Sequence, residues 1–302
     1  MGVINTGSHP KSLWPGVKLF FGQEYEGHPT EYSKIFEEVA SDYAYEEEVE
    51  SYAFGYASKK PQGASFTYDE HKQGYVSRYT HDLWGTGYIV TYEELKDNKY
   101  QKVSFKRARM VAFSLHSTKE ANGADLLNNG FTDTTWPGDG TYLFSASHPT
   151  PAGLQSNLIT NSADLSEASL EDLLIQIATT KNNRGIPIAN RAKQLIVSPY
   201  DVFNAERITA SPLNTTDAGN AINAVRSMGS LPEGFHVNHY LTDTDAWFVQ
   251  TYMPNGLQLM QREKYQFVQD NDGDTMNAKA KGFERYVFGA SDWRNIWGSP
   301  GA

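Results

Sequence analysis

The alternation of apolar and polar residues changes several times along the 302-residue chain, and each change predicts an element. Residues 1–30 show no period. Gly2, Gly7, Pro10, Pro15, Gly16, Gly22, Gly27 and Pro29 interrupt every candidate run and predict an extended arm. Such an arm is ordered only when tied down, most economically by neighbouring copies. In "TEYSKIFEEVASDYAYEEEV" the apolar positions Tyr32, Ile35, Phe36, Val39 and Tyr43 recur at helical spacing behind a candidate cap at Thr30, which predicts a short helix over 31–49. The period then drops to two. Tyr52, Phe54 and Tyr56 alternate, Lys59–Gly63 reads as a turn, and Phe66 and Tyr68 alternate again, so a β-hairpin is expected there. Further alternation at Tyr75, Ser77 and Tyr79 carries the ribbon to about residue 90. A ribbon of this kind is marginal alone in water and is expected to lie on another surface.

From Thr91 the helical period returns. Thr91 and Glu94 form a capping box, and Leu95, Val103, Ala108, Val111, Ala112, Leu115, Ala121, Ala124 and Leu127 predict a long helix over 91–129, with a break near Asp97-Asn98. Leu170, Leu173, Leu174 and Ile177 at i, i+3, i+4 and i+7 mark the clearest amphipathic helix. "AKQLIVSPY" reads as a buried strand, "YDVFNAERITA" and "DAGNAINAVRSM" as helices, and "FHVNHYLTD", "AWFVQTYM", "LQLMQREKYQFVQD" and "TMNAKAKGFERYVFGASD" as strands. The class is α+β, with a length that suits two domains or one large one.

Composition narrows the functions. Aromatics at 13% and the lack of a low-complexity tract point to a packed globular chain, and no apolar run approaches the ~20 residues that cross a bilayer. "MGVINTGSHPKSLW" lacks the features of a secretory signal, while Gly2 with Thr6 fits only the short myristoylation pattern. With no cysteine, disulfides, thiolate metal sites and cysteine nucleophiles are excluded together. A net charge of −10 opposes condensation on a phosphate backbone. The acid is concentrated: Glu24 to Glu50 holds ten acidic residues against Lys34 alone, whereas Lys96, Lys99, Lys102, Lys106, Arg107 and Arg109 form a basic cluster on the long helix. Each reads first as a solvated face, and the two also read as an electrostatic pair, within one subunit or between neighbours.

Candidate chemistry resolves into structural readings. His236 and His239 are three apart in a strand context, which puts them on opposite faces. "DNDGDT" places its glycine fourth where a calcium loop needs it sixth, and reads as a turn on Asp272-Gly273. Ser145, Ser147 and His148 lack a nucleophile-elbow motif, "GTGY" lacks the third glycine of a dinucleotide site, and Asn214-Thr215-Thr216 matters only in a secreted chain. Asp243 and Asp245 sit where two carboxylates can share a proton, but "LTDTDAW" also reads as an Asx turn leading into a strand. No catalytic residue, metal ligand or cofactor site is expected.

The segments "SASHPT…QSNLITNSADLSEASLEDLLIQI", "RGIPIANRAKQLIVSPYDVFNAERI", "VNHYLTDTDAWFVQTYMPNGLQLMQRE" and "GDTMNAKAKGFERYVFGASDWRNIWGS" resemble, in the same order, stretches of Mu-like tailed-bacteriophage major head subunits. The resemblance covers roughly residues 85–300. It implies the Hong Kong 97-type capsid fold: N-terminal arm 1–30, short helix 31–49, extended β loop 50–90, peripheral domain 91–149 and 251–302 with a spine helix, and axial domain 150–250. It further implies a virion shell of pentamers and hexamers around double-stranded DNA held without sequence-specific contacts. That shell would be assembled in a bacterial cytoplasm with separate scaffolding, portal and decoration proteins, and without a membrane. An encapsulin-like shell around protein cargo is the nearest rival, and a hydrolase or glycan-binding protein the rival from another class. Interface candidates are Tyr52, Phe54, Phe66 and Tyr68 on the loop, Lys59 and Lys60 at its tip, Glu46, Glu47 and Glu48 before it, and Lys102, Lys106 and Arg109 on the spine. Some members of the fold join subunits by a Lys–Asn isopeptide bond; Lys59 and Lys60 stand at a suitable tip, although Mu-like members are not expected to need it.

Overall fold

The computed structural model describes residues 14–97, 100–214 and 221–302, excepting the side chains of 14–17 and 95–105. In chain order these form α1 (Trp14–Gly27), a 3-10 turn (Tyr32–Lys34), β1 (Glu37–Ala40), β2 (Tyr45–Ser51), β3 (Gln73–Thr80), β4 (Asp82–Val90), α2 (Tyr92–Asp97) and α3 (Tyr100–Asn128). There follow β5 (His148–Thr150), β6 (Gly153–Gln155), α4 (Glu167–Ala178), β7 (Ala192–Val197), α5 (Val202–Ala210) and α6 (Ala224–Ser227). The last elements are β8 (Phe235–Val237), β9 (Trp247–Thr251), β10 (Leu257–Asn271), β11 (Ala278–Ala290), a 3-10 turn (Trp293–Asn295) and β12 (Ile296–Ser299).

Two four-stranded sheets carry the architecture. One runs β1-β10-β11-β4, with β1 parallel to β10 and the rest antiparallel; the other runs β12-β9-β7-β8, with only β7 and β8 parallel. One cluster joins the two sheets: Ile196, Phe248 and Ile296 face Leu257, Leu259, Tyr286 and Phe288 across Leu127, Leu143 and Phe144. A second lies between the opposite face of β7 and β9 and the helices α4 and α5, with Leu170, Leu173 and Ile177 fully buried. The α4 stripe is therefore where the 3.6 period puts it, and Ser166 caps the helix through the Ser169 amide. A third cluster packs α1 and α3 on the first sheet through Phe21, Val111, Leu115, Phe267 and Ala280. At 1.5 Å per residue the 29-residue α3 spans about 43 Å. The capping box expected at its approach is present in part, the Glu94 amide donating to Thr91 Oγ1 at 3.4 Å.

Several expectations are corrected. Within the stretch read as an arm, residues 14–27 form α1. Pro15 falls in the first turn, where no amide hydrogen bond is required, and Gly27 ends the helix, so most of the punctuation marks boundaries. Gly22 lies inside because Tyr265 packs against it, its Oη 3.4 Å from where a Cβ would stand. Residues 31–49 form one 3-10 turn and two strands, not a helix. Tyr32, Ile35 and Phe36 do bury at helical spacing, but the chain then extends, and Glu37 to Ala40 pair with Gln258 to Gln261. The strands of the hairpin are displaced outward: β2 and β3 pair over Tyr45–Ser51 and Gln73–Thr80, and residues 52–72 form a long loop with its turn at Pro61–Ala64. β12 pairs with β9 in the sheet built mainly from the expected axial stretch 150–250, here termed the axial sheet, although the resemblance placed 251–302 in the periphery. The first 13 residues, Lys99 and the 215–220 part of the predicted helix "DAGNAINAVRSM" lie outside the described residues.

The connection after α3 is organised by a buried, hydrogen-bonded pair, His148 and Asp139. His148 Nδ1 lies 2.6 Å from Asp139 Oδ2, and the ring stacks on Trp293 at 4.3 Å and 2°. Asn157 Nδ2 donates to three backbone carbonyls, so its Oδ1 is the acceptor facing His148 Nε2 at 3.0 Å. Both ring nitrogens thus face acceptors. Burial alone would raise the Asp139 carboxyl, but the bonds from His148 and Thr141 outweigh it and hold the group below its ordinary value of 3.8.

Two predictions follow from this packing. Asp139→Asn should destabilise the folded chain by about 1–3 kcal/mol in urea unfolding near neutral pH, because it takes the carboxylate acceptor away from the buried His148 ring and from Thr141. A depressed carboxyl contributes stability above its unfolded pKa, so the gap between wild type and variant should close as pH falls below about 3.8. A gap independent of pH would refute the role given to the Asp139 carboxylate. At Gly282 an added Cβ would meet Leu115 Cδ1 at 2.8 Å, Val111 Cγ1 at 2.9 Å and Phe21 Cζ at 3.2 Å. Gly282→Val should therefore cost about 1–3 kcal/mol and increase amide exchange in α1 and α3 before the axial sheet is affected.

Candidate functional site

The loop between β2 and β3 displays apolar surface that its own subunit does not cover. Tyr68 is 89% exposed, Tyr56 78%, Phe66 66% and Phe54 60%. Four large aromatic side chains left in water on one excursion mark a contact surface. Lys60 Nζ sits 4.4 Å over the Phe66 ring at the tip, Lys59 is exposed, and Tyr52 is half-buried at the root. The limbs meet only sparsely: Tyr52 N donates to Lys72 O at 3.0 Å, Gly55 N to Asp69 Oδ2 at 2.8 Å and Ser58 Oγ to Thr67 Oγ1 at 3.0 Å.

The root, by contrast, is fastened. Arg184, on the turn after α4, donates to Ala53 O at 3.2 Å, to Asp69 Oδ1 at 3.1 Å and to Glu70 O at 3.1 Å. Arg294 is buried and donates to Glu50 Oε1 at 3.2 Å, Asp292 Oδ1 at 3.1 Å, Asn183 Oδ1 at 2.6 Å and Lys181 O at 3.3 Å. Its guanidinium also lies 4.3 Å from the Trp293 ring. Burial raises the Glu50 carboxyl and Arg294 opposes that rise. From β3, Tyr75 Oη donates to Ser291 O at 3.0 Å and Ser77 Oγ to Pro137 O. Sequence reasoning missed Arg184, Arg294, Glu50 and Asn183. The available signal was a lone arginine in the apolar run "DWRNIWG" and another in the turn "NNRG".

Of the acidic stretch and the basic cluster, Glu24 and Arg109 meet within the subunit, whereas Glu46, Glu47 and Glu48 have other neighbours. Glu46 accepts from Ser41, and Glu47 lies 3.8 Å from Arg78 on the facing strand, so this acid belongs to the β2–β3 ribbon. Arg109 pairs instead with Glu24 of α1 at 2.7 Å. Lys106 is exposed, Glu48 faces Ser77 across the ladder, and the Lys102 side chain lies outside the described residues. Elsewhere an open apolar cleft of about 1180 Å³ lies along α4, lined by Leu174, Ile175, Met228 and Tyr252. Leu83 and Ile89 stand exposed on β4.

The residues weighed for catalysis occupy structural positions. Asp245 N donates to Asp243 Oδ1 at 3.0 Å, the Asx turn that leads into the fully buried β9. His236 is buried on β8, while His239 is exposed and bonded to Glu31. Ser145 Oγ accepts from Ser147 N, and His148 Nε2 faces Asn157 rather than either serine. Asp272 accepts the Met276 amide and anchors the β10–β11 turn. Among the described residues, no three His, Asp or Glu side chains are grouped to hold a metal ion.

Solved structures share this arrangement. A virus-like particle from Pyrococcus furiosus superposes with a TM-score of 0.54 at 10% identity, covering 94% of this chain and 98% of its own. The capsid of a native GTA particle gives 0.53 at 11%, covering 98% and 91%, and Mycobacterium phage Patience 0.52 at 11%, covering 98% and 88%. These likenesses give the fold, which is the Hong Kong 97-type capsid fold. No curated protein matches the sequence. The family model described as phage capsid protein matches residues 75–298, well over half of the chain. With that match and that fold, the chain belongs to the phage capsid protein family and is a subunit of a capsid shell.

Proposed function

We propose that the chain is the major head subunit of a tailed phage, a Mu-like one on its sequence segments. Pentamers and hexamers of it close around double-stranded DNA without a catalytic step of their own. Separate scaffolding, portal and decoration proteins complete the particle, which is built in the host cytoplasm. The observation that carries this reading is the 52–72 loop, aromatic and exposed along its length and fastened at its root by two arginines. The root fixes where the loop leaves the subunit, and the aromatic limbs gain burial only on a neighbour. Without cysteine, cohesion is a sum of modest contacts repeated by symmetry. The cleft along α4 and the exposed Leu83 and Ile89 add further apolar surface for neighbouring copies. A protein-cargo shell of the same fold is the alternative, and the contents of purified particles separate the two: packaged DNA supports the phage head, a co-purifying protein cargo the other.

Deleting Ser58–Ser65 should leave a soluble, folded subunit that forms no particles in electron micrographs; normal particles would dismiss the loop as a clasp. The second test concerns charge. Among the described residues no ion pair joins Glu46, Glu47 or Glu48 to the spine helix, so we assign their pairing to neighbours. Changing Lys102, Lys106 and Arg109 to Glu should then block assembly, and changing Glu46, Glu47 and Glu48 to Lys in the same chain should partly restore it. Arg109 also pairs with Glu24, so Arg109→Glu alone serves as the control for internal damage. Assembly of the wild-type chain should slow as salt approaches ~1 M, where the screening length is about 3 Å, while finished particles persist. Unchanged kinetics in the triple variant would return these charges to solvent-facing roles.

A further inference from the structure

Four of the eight histidines gather at one junction, where the chain leaving α1 crosses α3 and meets the end of β8. His28, just after α1, lies with its ring 5.3 Å from that of His116 on α3 and 5.4 Å from Phe113. Tyr25 stands edge-on to His116 at 5.8 Å. His236 is on β8, and His239 follows it. The Nε2 atoms of His28, His116 and His236 are buried without a hydrogen-bond partner. Two glutamates lie among these rings, and both are engaged. Glu120, 1% exposed, accepts the Glu31 amide at 2.8 Å and the Tyr32 amide at 3.0 Å. Glu31 accepts the His239 amide at 2.8 Å and His239 Nδ1 at 2.6 Å. His116 Nε2 is 3.8 Å from Glu120 Oε1, beyond hydrogen-bond reach.

The geometry points to a proton-operated latch: protonation of His116 and His236 releases the segment 28–36 from α3 and from the β8 turn. A neutral imidazole can sit in this seam with an idle nitrogen, but an imidazolium cannot remain there without an anion. The nearest anions are Glu120 and Glu31, whose oxygens hold the amides of residues 31, 32 and 239; His116 Nε2 stands 3.8 Å from Glu120 Oε1, so a bond between them draws that carboxylate away from the amides of 31 and 32. The other charges packed around the seam reinforce this. Lys119 lies on the next turn of α3, tied to Gln261 and Glu284, and Lys34 faces His236. Tyr25 and Tyr32 donate no charge, and the Arg109–Glu24 pair lies nearer the start of α3.

Burial lowers His116 below the usual 6.5, with His28 and Lys119 acting the same way and Glu31 opposing. Burial likewise lowers His236, helped by Lys34 and opposed by Glu31. The docked segment therefore binds fewer protons than the released one below pH 6.5, and docking weakens as pH falls through that point. Glu120 acts in the opposite sense, since burial raises its carboxyl and a proton there relieves its own desolvation. Among the described residues no three of these groups are placed to share a metal ion, so the ligand of the junction is the proton.

Hydrogen exchange of the full-length chain, corrected for intrinsic rates, tests the latch between about pH 7.5 and about pH 5.5. Peptides covering 28–36 should exchange about tenfold faster at the lower pH, with a midpoint below the usual histidine value of 6.5. His116→Gln with His236→Gln should flatten the response, and Glu120→Gln should retain it. Equal protection at both pH values, or a response surviving unchanged in the double histidine variant, overturns the proposal. Where that variant does not fold, the single variants His116→Gln and His236→Gln decide: each should weaken the response, and a response unchanged in both overturns the proposal.

Discussion

Arg294 is a cation with almost no water to solvate it, its side chain only 3% exposed, and much of the molecule is arranged to make that tolerable. A buried guanidinium stripped of one partner costs about 3–5 kcal/mol, so its acceptors must all arrive together. They come from separate parts of the chain: Glu50 from β2, Asn183 and Lys181 from the turn after α4, and Asp292 from the turn beside it. The same guanidinium lies against Trp293, whose ring stacks on His148 and so adjoins the His148–Asp139 hydrogen bond. One unsolvated charge thus fixes the loop root relative to both sheets. It also explains the contrast along the loop, whose base is determined to within a hydrogen bond while its limbs have little to hold them.

The two sheets are joined by apolar contact rather than by a linker. Phe248 and Ile196 present one face of the axial sheet to Phe288 and Leu259 of the other, while the opposite face is occupied by α4 and α5. Beside this core lies a polar fastening on the peripheral side, where Lys119, Glu284 and Tyr25 share hydrogen bonds at the seam between α1 and α3. Core and fastening answer different needs. The apolar cluster supplies most of the free energy, whereas the buried polar groups allow few relative positions of the helices because each misplacement strands a charge.

Legibility in the sequence followed the range of the interaction. α4, β7 and the β10–β11 pair were readable because their periods are imposed locally, by a core stripe or by a two-sided strand. The stretch 31–49 misled because Tyr32, Ile35 and Phe36 do bury at helical spacing for one turn. What makes the next residues a strand is pairing with Gln258 to Gln261, more than two hundred positions away, and no local pattern encodes that. α1 is masked in the sequence by its own glycines and prolines, because Pro15 and Gly27 stand at its ends and Gly22 faces Tyr265. For the candidate site, the aromatic limbs of the loop were visible as alternation, but Arg184 and Arg294 were not. An arginine becomes a clamp through what the fold places around it, and in the sequence both looked like ordinary surface cations.

The position of β12 has a consequence for synthesis. Trp247 to Thr251 form a fully buried strand, held on one edge by β7 and on the other by Ile296 to Ser299. Between these partners the chain must complete the whole β10–β11 hairpin. On the ribosome, therefore, the axial sheet waits with one edge of β9 open and Trp297 absent from its core. An open edge beside large apolar side chains templates pairing with any similar strand nearby. Polysomes making many copies of one chain bring such strands together, so the nascent subunit is most exposed to mispairing in the interval before the late strand arrives.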